Sequence, residues 1–332
     1  MKEFAYQRAE DVSGAVALLG ADPDARFLGG GTNLVDLMKS GVERPGRLVD
    51  VRQLPLGAIE STPEGGLRIG ATVTNSDLAA HPEVRRRYPL LTQAVLAGAS
   101  GQLRNMATVG GNLLQRTRCG YFADVTKPCN KREPGTGCPA LEGEHHNHAI
   151  LGASEHCVAT HPSDMGVALT ALDAVVTYET ADGPGELPLA DFYLPVGDTP
   201  HRETALPPGA LITGVTVPPA PVAARSRSRY RKVRERASYA FAIGSVAAAL
   251  DVSDGVVREV RLAFGAVASR PWRARAAERA LTGAPAEAEN FAAAADAELA
   301  AARPLRDNAY KVTLMRNLVV AVLTELAEEA AR

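Results

Sequence analysis

Two glycine-rich segments have the composition of loops that bind phosphate groups. They are Gly29-Gly30-Gly31-Thr32-Asn33 and, further along the chain, Thr108-Val109-Gly110-Gly111-Asn112. Glycine allows a close approach to the backbone and adopts the positive φ angles that point successive amides inward. The first loop has neither GxGxxG spacing nor a Walker lysine, which argues against NAD and nucleoside triphosphates. Two loops from one domain suit the two phosphates of a pyrophosphate, although tight turns between strands and helices would also explain the glycines.

A stretch without hydrophobic periodicity, residues 113–160, holds all four cysteines: Cys119, Cys129, Cys138 and Cys157. Four thiolates can ligate a [4Fe-4S] cluster, and the cations nearby in sequence would ease the burial of such a charged centre. These cations are Arg116, Arg118, Lys127, Lys131 and Arg132. No CxxC knuckle of the common structural zinc sites is present. From spacing alone, a cluster, a zinc site, disulfides and free structural cysteines all stay open.

Other arrangements of reactive side chains are less informative. Five histidines follow one another without the spacing of a helical metal site, and we expect them mostly to face solvent or form hydrogen bonds: His145, His146, His148, His156 and His161. The sequence shows no identifiable Ser-His-Asp arrangement or nucleophilic cysteine, so we predict no catalytic residue in this chain.

The elements that must position these residues predict an α+β fold. A strand at 25–28, the first glycine loop and a helix at 34–40 form one unit, and the second glycine segment is predicted to be a turn. A proline-rich linker at 206–221 precedes a C-terminal sheet covered by helices, which 241–250, 256–266 and 273–302 would supply. We therefore predict domains at 1–220 and 221–332. The first divides into 1–55 and 56–220, with the cysteine-bearing insertion at about 113–160.

Bulk composition narrows the classes of partner. The 332 residues are 46% hydrophobic and 22% charged, with a net charge of -2, as in ordinary globular proteins. Nucleic acid is not an expected partner, because a marked basic surplus is missing. No apolar run approaches the roughly 20 residues that a bilayer span needs, and no export signal is apparent. We expect folding in the cytoplasm, with periplasmic export possible when the chain is bound to a signal-bearing partner.

The two glycine loops resemble those of a known family. Leu28–Leu34 and Arg104–Asn112 are similar to segments of the FAD-binding subunit of the xanthine dehydrogenase and molybdenum hydroxylase family. The resemblance continues through Pro162-Ser163-Asp164, Tyr230-Arg231-Lys232, 237–242 and 265–268, so it spans nearly the whole chain. It implies a two-part FAD-binding domain of the vanillyl-alcohol-oxidase (PCMH) type, followed by a C-terminal α+β domain of the CO dehydrogenase flavoprotein type.

The resemblance also implies which residues contact FAD. Position by position, they are Leu28, Gly29, Gly30, Gly31, Thr32, Asn33, Leu34, Thr108, Gly111, Asn112, Asp164, Ile212, Lys232 and Tyr239. The glycine-loop residues would contact the pyrophosphate and ribityl chain, and Asp164 would hydrogen-bond on the flavin side. Ile212 would lie near the flavin or adenine, Lys232 close to the flavin ring, and Tyr239 over its face. Taken alone, Asp164 is also explained as a helix N-cap and Tyr239 as a core aromatic residue.

The cysteine-bearing insertion resembles that of the FAD subunits of periplasmic aldehyde oxidoreductases. This implies a [4Fe-4S] cluster on the four cysteines and an electron-transfer role. An aldehyde would be oxidised at the molybdenum cofactor of a large subunit, and electrons would pass through a small [2Fe-2S] subunit to this FAD and then to an external acceptor. The chain has no segment suggestive of a molybdopterin site and no C-x4-C-x2-C run. The alternatives are a self-contained flavin oxidoreductase and a non-enzymatic scaffold with structural cysteines.

Overall fold

The fold is known from a computed structural model, which describes residues 1–220 and 227–330. Pro221, at the end of the predicted linker and the start of the predicted C-terminal domain, lies outside the described residues, as do the last two residues of that domain. Three sheets organise the described part of the chain, and helices cover them. None of the helices described is both long and apolar enough to cross a bilayer.

The first subdomain is a small parallel sheet that presents the first glycine loop. Its three strands follow the order β1-β3-β2, and two helices pack with them. The elements are β1 (Ala5–Arg8), α1 (Val12–Gly20), β2 (Ala25–Leu28), α2 (Leu34–Ser40) and β3 (Arg47–Asp50). The predicted strand, glycine loop and helix are confirmed with the predicted bounds. Parallel pairing of β2 with β3 places the glycine loop at the carboxyl end of the sheet.

The second subdomain is built on a five-stranded antiparallel sheet of order β4-β5-β8-β6-β7. Its strands are β4 (Ile59–Ser61), β5 (Leu67–Gly70), β6 (Val175–Thr180), β7 (Gly183–Pro188) and β8 (Leu211–Val217). The middle strand, β8, lies inside the predicted proline-rich linker, so that prediction is wrong there. Its prolines stand before and after the strand, where they remove no ladder hydrogen bond, while the apolar residues between them are buried.

Short helices cover this sheet and carry the second glycine segment. They are α3 (Asn75–Ala80), α4 (Pro82–Arg87), α5 (Pro89–Ala97), α6 (Gly101–Arg104), α7 (Val109–Leu113), α8 (Gly120–Ala123), α9 (Asp164–Ala171) and α10 (Leu189–Phe192). The predicted glycine turn is therefore a helix, α7, because Thr108 caps it by accepting from the Gly111 amide. Between α7 and α9, the regular structure consists of α8 and one 3-10 turn at Pro139–Leu141.

The C-terminal part is a four-stranded antiparallel sheet of order β12-β11-β10-β9 with three helices. The elements are β9 (Ser228–Val233), β10 (Gly244–Ser253), β11 (Val256–Gly265), β12 (Trp272–Arg273), α11 (Arg275–Leu281), α12 (Ala288–Leu299) and α13 (Tyr310–Ala330).

Both faces of this C-terminal sheet are buried. Alternate residues of β10 point to opposite faces, so Val246 and Leu250 pack among the three helices, whereas Ala247 and Ala249 pack into the core of the second subdomain. This two-sided burial explains why β10 is apolar almost throughout. It also joins the C-terminal domain to the FAD-binding domain through a continuous hydrophobic contact.

A buried glutamate supplies the helix cap that α11 lacks locally. Glu298, on α12, accepts from the Ala276 and Ala277 amides at 2.8 and 3.1 Å and from the Trp272 indole at 2.8 Å. One carboxylate therefore satisfies three donors from two neighbouring elements.

We predict that Glu298→Ala lowers the free energy of unfolding by about 3 kcal/mol, because three buried or half-buried donors lose their acceptor. Denaturant unfolding of the FAD-loaded protein measures the change. The matched control is Glu289→Ala, on the exposed side of the same helix, which should change stability by less than about 0.5 kcal/mol. Equal effects of the two substitutions would contradict the capping role.

Candidate functional site

A cavity of about 1710 Å³ lies between the two glycine segments. Both parts of the FAD-binding domain, the cysteine-bearing insertion and a loop of the C-terminal domain line it. Every residue predicted to contact FAD borders this cavity except Leu28, which ends β2 with a half-buried side chain. The structure therefore brings together residues that are far apart in the chain, including the loop glycines, Asp164, Ile212, Lys232 and Tyr239.

The glycine segments touch each other through their backbones. A Cβ on Gly30 would overlap the carbonyl of Met106, and one on Gly29 would lie 2.9 Å from Thr108 Oγ1. A Cβ on Gly111 would likewise lie 3.0 Å from Thr108 Oγ1. Contacts this short leave no room for a side chain, so the close approach itself requires glycine. The result is a cradle of exposed backbone that fits the close contact a pyrophosphate makes.

Asn33 adds an unused donor to this cradle. Its Oδ1 accepts from the Arg116 amide at 2.8 Å, which fixes the orientation of the side chain. Its Nδ2 is buried and has no hydrogen-bond partner among the residues that the structure describes. A buried donor without an acceptor is costly, and a phosphate oxygen in the cavity would satisfy it. The donors present therefore fit FAD.

A buried ion pair lies on another wall of the cavity. Lys232 donates from Nζ to Asp164 Oδ2 at 2.8 Å and to the Ala97 carbonyl at 3.1 Å. The side chains are only 3% and 9% exposed, so solvent screens the pair little. The N-cap of α9 is Ser163, which accepts from the Gly166 amide at 2.8 Å. The interpretation of Asp164 as an N-cap is therefore wrong.

Sequence reasoning missed the third member of this group, Tyr230. Its hydroxyl donates to Asp164 Oδ1 at 2.5 Å. Burial, and then the Asp164 carboxylate, raise the pKa of Tyr230 well above its ordinary value, so the hydroxyl stays protonated as a donor. A signal was available: Tyr230 and Lys232 are two apart on β9 and so share a face. With both carboxylate oxygens engaged, Asp164 has a defined orientation.

Aromatic residues at the cavity mouth are exposed. Tyr239 is 56% exposed and has a φ angle of 53°, in the left-handed region that residues other than glycine rarely adopt. Its carbonyl accepts from Arg236 Nε at 3.0 Å, and the Arg236 guanidinium lies over the ring. The core interpretation of Tyr239 is wrong. Phe241 is also exposed, and the Arg118 guanidinium lies 4.8 Å from its ring centroid. Neither Phe241 nor Arg118 was predicted to contact FAD.

The four cysteines line one small second cavity of about 10 Å³. All four are free thiols, with Cys129 and Cys157 buried and the other two half-buried. Within 1–220 and 227–330, no three His, Cys, Asp or Glu side chains are gathered closely enough for a single metal ion. Burial raises the pKa of Cys157 to about 11 and also raises those of Cys119 and Cys138.

Side-chain hydrogen bonds to the backbone hold the cysteine-bearing segments together. Asn130, next to Cys129, accepts from the Gly137 amide at 2.7 Å and donates to the His156 carbonyl at 3.0 Å. It thereby joins the segments that carry three of the cysteines. Thr117 donates to the Thr160 carbonyl at 3.0 Å and accepts from the Cys119 amide at 3.3 Å. These bonds substitute for the missing regular structure.

Two cations of the insertion, Arg116 and Lys131, form ion pairs with carboxylates outside it. Arg116 binds Glu203 at 3.0 Å and Glu43 at 2.6 Å, and Lys131 binds Glu203 at 3.2 Å and the Pro200 carbonyl at 3.0 Å. Burial acts to raise the pKa of Glu203, but Lys131 and Arg116 outweigh it, and the pKa is lowered. Arg116, one of the cations expected to ease burial of a charged centre on the thiols, thus also binds the insertion to the first subdomain through Glu43.

One histidine contacts a cysteine. His148 Nε2 lies 3.2 Å from Cys119 Sγ. Burial and the nearby Lys311 lower the pKa of His148 to about 4, so the ring is neutral at ordinary pH. The expectation of hydrogen bonding holds for His145, His148 and His161, but the partner of each ring could not be read from residue spacing. Cys119 and His148 also border the large cavity, and no other cysteine does so among the described residues.

Comparisons with known proteins agree with this geometry. The FAD binding domain in molybdopterin dehydrogenase matches residues 2–220, and the CO dehydrogenase flavoprotein C-terminal domain matches residues 228–326. The chain is 52% identical to the aldehyde oxidoreductase FAD-binding subunit PaoB of Escherichia coli K12 over 331 residues, covering 99% of this chain and 100% of PaoB. It is 27% identical to the glyceraldehyde dehydrogenase medium chain of Sulfolobus acidocaldarius, covering 85% and 82% of the two chains.

A solved structure supports the same relationship. The carbon monoxide dehydrogenase of Hydrogenophaga pseudoflava contains a chain that superposes with a TM-score of 0.77 at 26% identity, covering 98% of both chains. The predicted α+β fold, with a FAD-binding domain and a CO dehydrogenase flavoprotein C-terminal domain, is confirmed. The resemblance in the glycine loops is therefore a true family relationship, and this chain belongs to the FAD-binding subunits of the molybdenum hydroxylase family.

Proposed function

We propose that this chain is the FAD- and [4Fe-4S]-carrying electron-transfer subunit of a molybdenum-dependent aldehyde oxidoreductase. The observation that carries the proposal is the pair of adjoining cavities: one holds a glycine cradle, the other gathers four free thiols, and Cys119 borders both. An electron centre on the four cysteines would then adjoin the FAD site directly. The similarity to an aldehyde oxidoreductase subunit supports the substrate class.

The FAD site would work through positioning. Gly29, Gly30 and Gly111 would allow the pyrophosphate to approach the backbone, and Asn33 Nδ2 would donate a hydrogen bond to it. Asp164 and Lys232 hold fixed charges beside the flavin, with Tyr230 orienting Asp164, while Ile212 and Tyr239 cover apolar faces. Bound FAD supplies electron transfer, and the protein sets its position and electrostatic surroundings. For the domain boundaries we propose 1–55, 56–220 and 221–332.

The four cysteines would hold the cluster as thiolates. All four thiols border one small cavity, and cysteine sulfurs are the ligands that iron-sulfur clusters take. Cys129 and Cys157 lie deepest, while Cys119 faces the FAD cavity. The insertion would thus add a cluster beside the flavin.

The chemistry on the aldehyde would occur in another subunit. We propose a large molybdenum-cofactor subunit and a small [2Fe-2S] subunit as partners, with electrons leaving this chain to an external acceptor. The residues described at the site provide a charged pair and a cofactor cradle, and the cysteine that has a histidine beside it, Cys119, is assigned to the cluster. A self-contained flavin oxidoreductase and a scaffold with structural cysteines are the competing functions.

We expect the protein to lose FAD when a glycine of the cradle is replaced by a residue with a side chain. Gly30→Val and Gly111→Val should each reduce the flavin bound per protein by about tenfold or more, because the branched side chain would force apart the close contacts with Met106 and Thr108 that form the cradle. Visible absorbance of the purified variants measures this. Gly20→Val is the control, since a Cβ there meets no described atom within 4 Å. Folded variants of both loop glycines with full FAD would show that the cradle does not bind it.

Loss of one thiol should remove the cluster and spare the flavin. In Cys129→Ser we expect iron content and the broad iron-sulfur absorbance to disappear, while FAD remains bound by the separate cradle. Glu155→Gln, 87% exposed in the same insertion, should keep both. Wild-type protein with flavin peaks but no iron would favour the self-contained flavoenzyme, and protein with neither would favour the scaffold.

The proposed electron-transfer role is tested on the isolated subunit. Mixed anaerobically with benzaldehyde, the FAD-loaded chain should show no flavin bleaching, because the site for aldehyde oxidation is on another subunit. Dithionite should bleach it, and benzaldehyde should do so after reconstitution with the two partner subunits. Rapid bleaching of the isolated chain by benzaldehyde would replace the relay with a self-contained flavoenzyme.

A further inference from the structure

The contact between His148 and Cys119 is specific to one of the four thiols. His148 Nε2 lies 3.2 Å from Cys119 Sγ, within hydrogen-bond distance for sulfur. In the part of the chain that the structure describes, the other ring nitrogen, Nδ1, is buried without a partner. Among the described residues, Cys119 Sγ is therefore the hydrogen-bond partner of the His148 ring.

The direction of this hydrogen bond follows from the chemistry of a ligand cysteine. A cysteine that ligates iron is a thiolate and has no proton to give, so the ring must be the donor. A neutral imidazole has one N–H, and placing it on Nε2 directs it at the sulfur. Placing it on Nδ1 would instead leave a buried donor without an acceptor and set a lone pair against the thiolate.

The C-terminal domain holds this histidine in place. Lys311, completely buried at the start of α13, donates from Nζ to the carbonyls of Asn147 and His148 at 2.9 and 3.1 Å. Asn308, also completely buried, donates to the carbonyls of His148 and Ala149, each at 3.2 Å. Both carbonyl-binding side chains come from a different domain than the cysteines. The histidine backbone is therefore fixed independently of the loop that carries Cys119.

We propose that His148 is a positioning residue that donates a hydrogen bond to the Cys119 thiolate and raises the reduction potential of the cluster. The proposal rests on the [4Fe-4S] assignment made above. Hydrogen bonds to cluster sulfurs are one of the means by which a protein sets the potential, since they stabilise the more negative, reduced form. Cys119 is also the thiol that borders the FAD cavity, so the effect acts on the side of the cluster that faces the flavin.

The test is a redox titration of the purified, FAD-loaded chain, with the cluster followed by its visible absorbance and electron paramagnetic resonance. In His148→Phe, which keeps an aromatic ring but has no donor, the midpoint potential should become more negative. We expect about a tenfold lower ratio of reduced to oxidised cluster at a given potential, which is about 59 mV for a one-electron couple. His148→Gln, which retains an N–H near the position of Nε2, should restore most of the wild-type potential. His146→Phe is the control, because its ring stacks on Tyr310 and the substitution preserves that stacking.

Each possible result of the redox titration supports or overturns the proposed role of His148. A wild-type midpoint in His148→Phe with iron retained would overturn the proposal while leaving the cluster assignment intact. Wild-type protein without iron would overturn the cluster assignment itself. If His148→Phe loses its iron, the glutamine variant decides: retained iron at the wild-type potential supports the hydrogen bond, whereas loss of iron in both variants shows a packing role only.

Discussion

The backbone contact between the first glycine segment and the residues just before the second is the constraint on which the proposed FAD site depends. Gly30 meets the Met106 carbonyl so closely that no side chain could be placed between them. The contact joins a parallel sheet, which presents the first loop, to the antiparallel subdomain that presents the second. The proposed pyrophosphate site would form only when both subdomains have folded and docked, so cofactor binding would stabilise their arrangement by mass action.

The C-terminal domain contributes to the same site because its sheet is buried on both faces. One face of β10 packs on the helices of its own domain, and the other packs on the FAD-binding domain. This docking carries β9 to the cavity wall, where Tyr230 and Lys232 reach Asp164 of the other domain. The buried ion pair would be costly without these hydrogen bonds, since an unpaired charge in this position would be poorly solvated. Hydrophobic docking and the charged wall of the site are therefore linked.

The insertion has little regular structure, so few of its backbone N–H and C=O groups are paired within helices or strands. Polar side chains take that role: Asn130 and Thr117 bond the cysteine-bearing segments to each other, and Lys131 and Arg116 pair with carboxylates outside the insertion. Lys311 of α13 and Asn308, just before this helix, add hydrogen bonds from the C-terminal domain. A loop held by so many separate bonds can place four thiols around one cavity with only one short helix and one 3-10 turn.

The sequence by itself determined the local units and the family. Glycine composition, the strand and helix flanking the first loop, and the clustering of four cysteines in one segment are local features, because each depends on residues close together in the chain. Tertiary structure alone decided that a strand lies between the prolines of the presumed linker, because a strand is stabilised by partners distant in sequence. It also decided that Asp164 binds Tyr230 and Lys232 instead of capping α9, and that His148 faces Cys119. These pairings depend on the docking of separate domains, and residue spacing carries no information about docking.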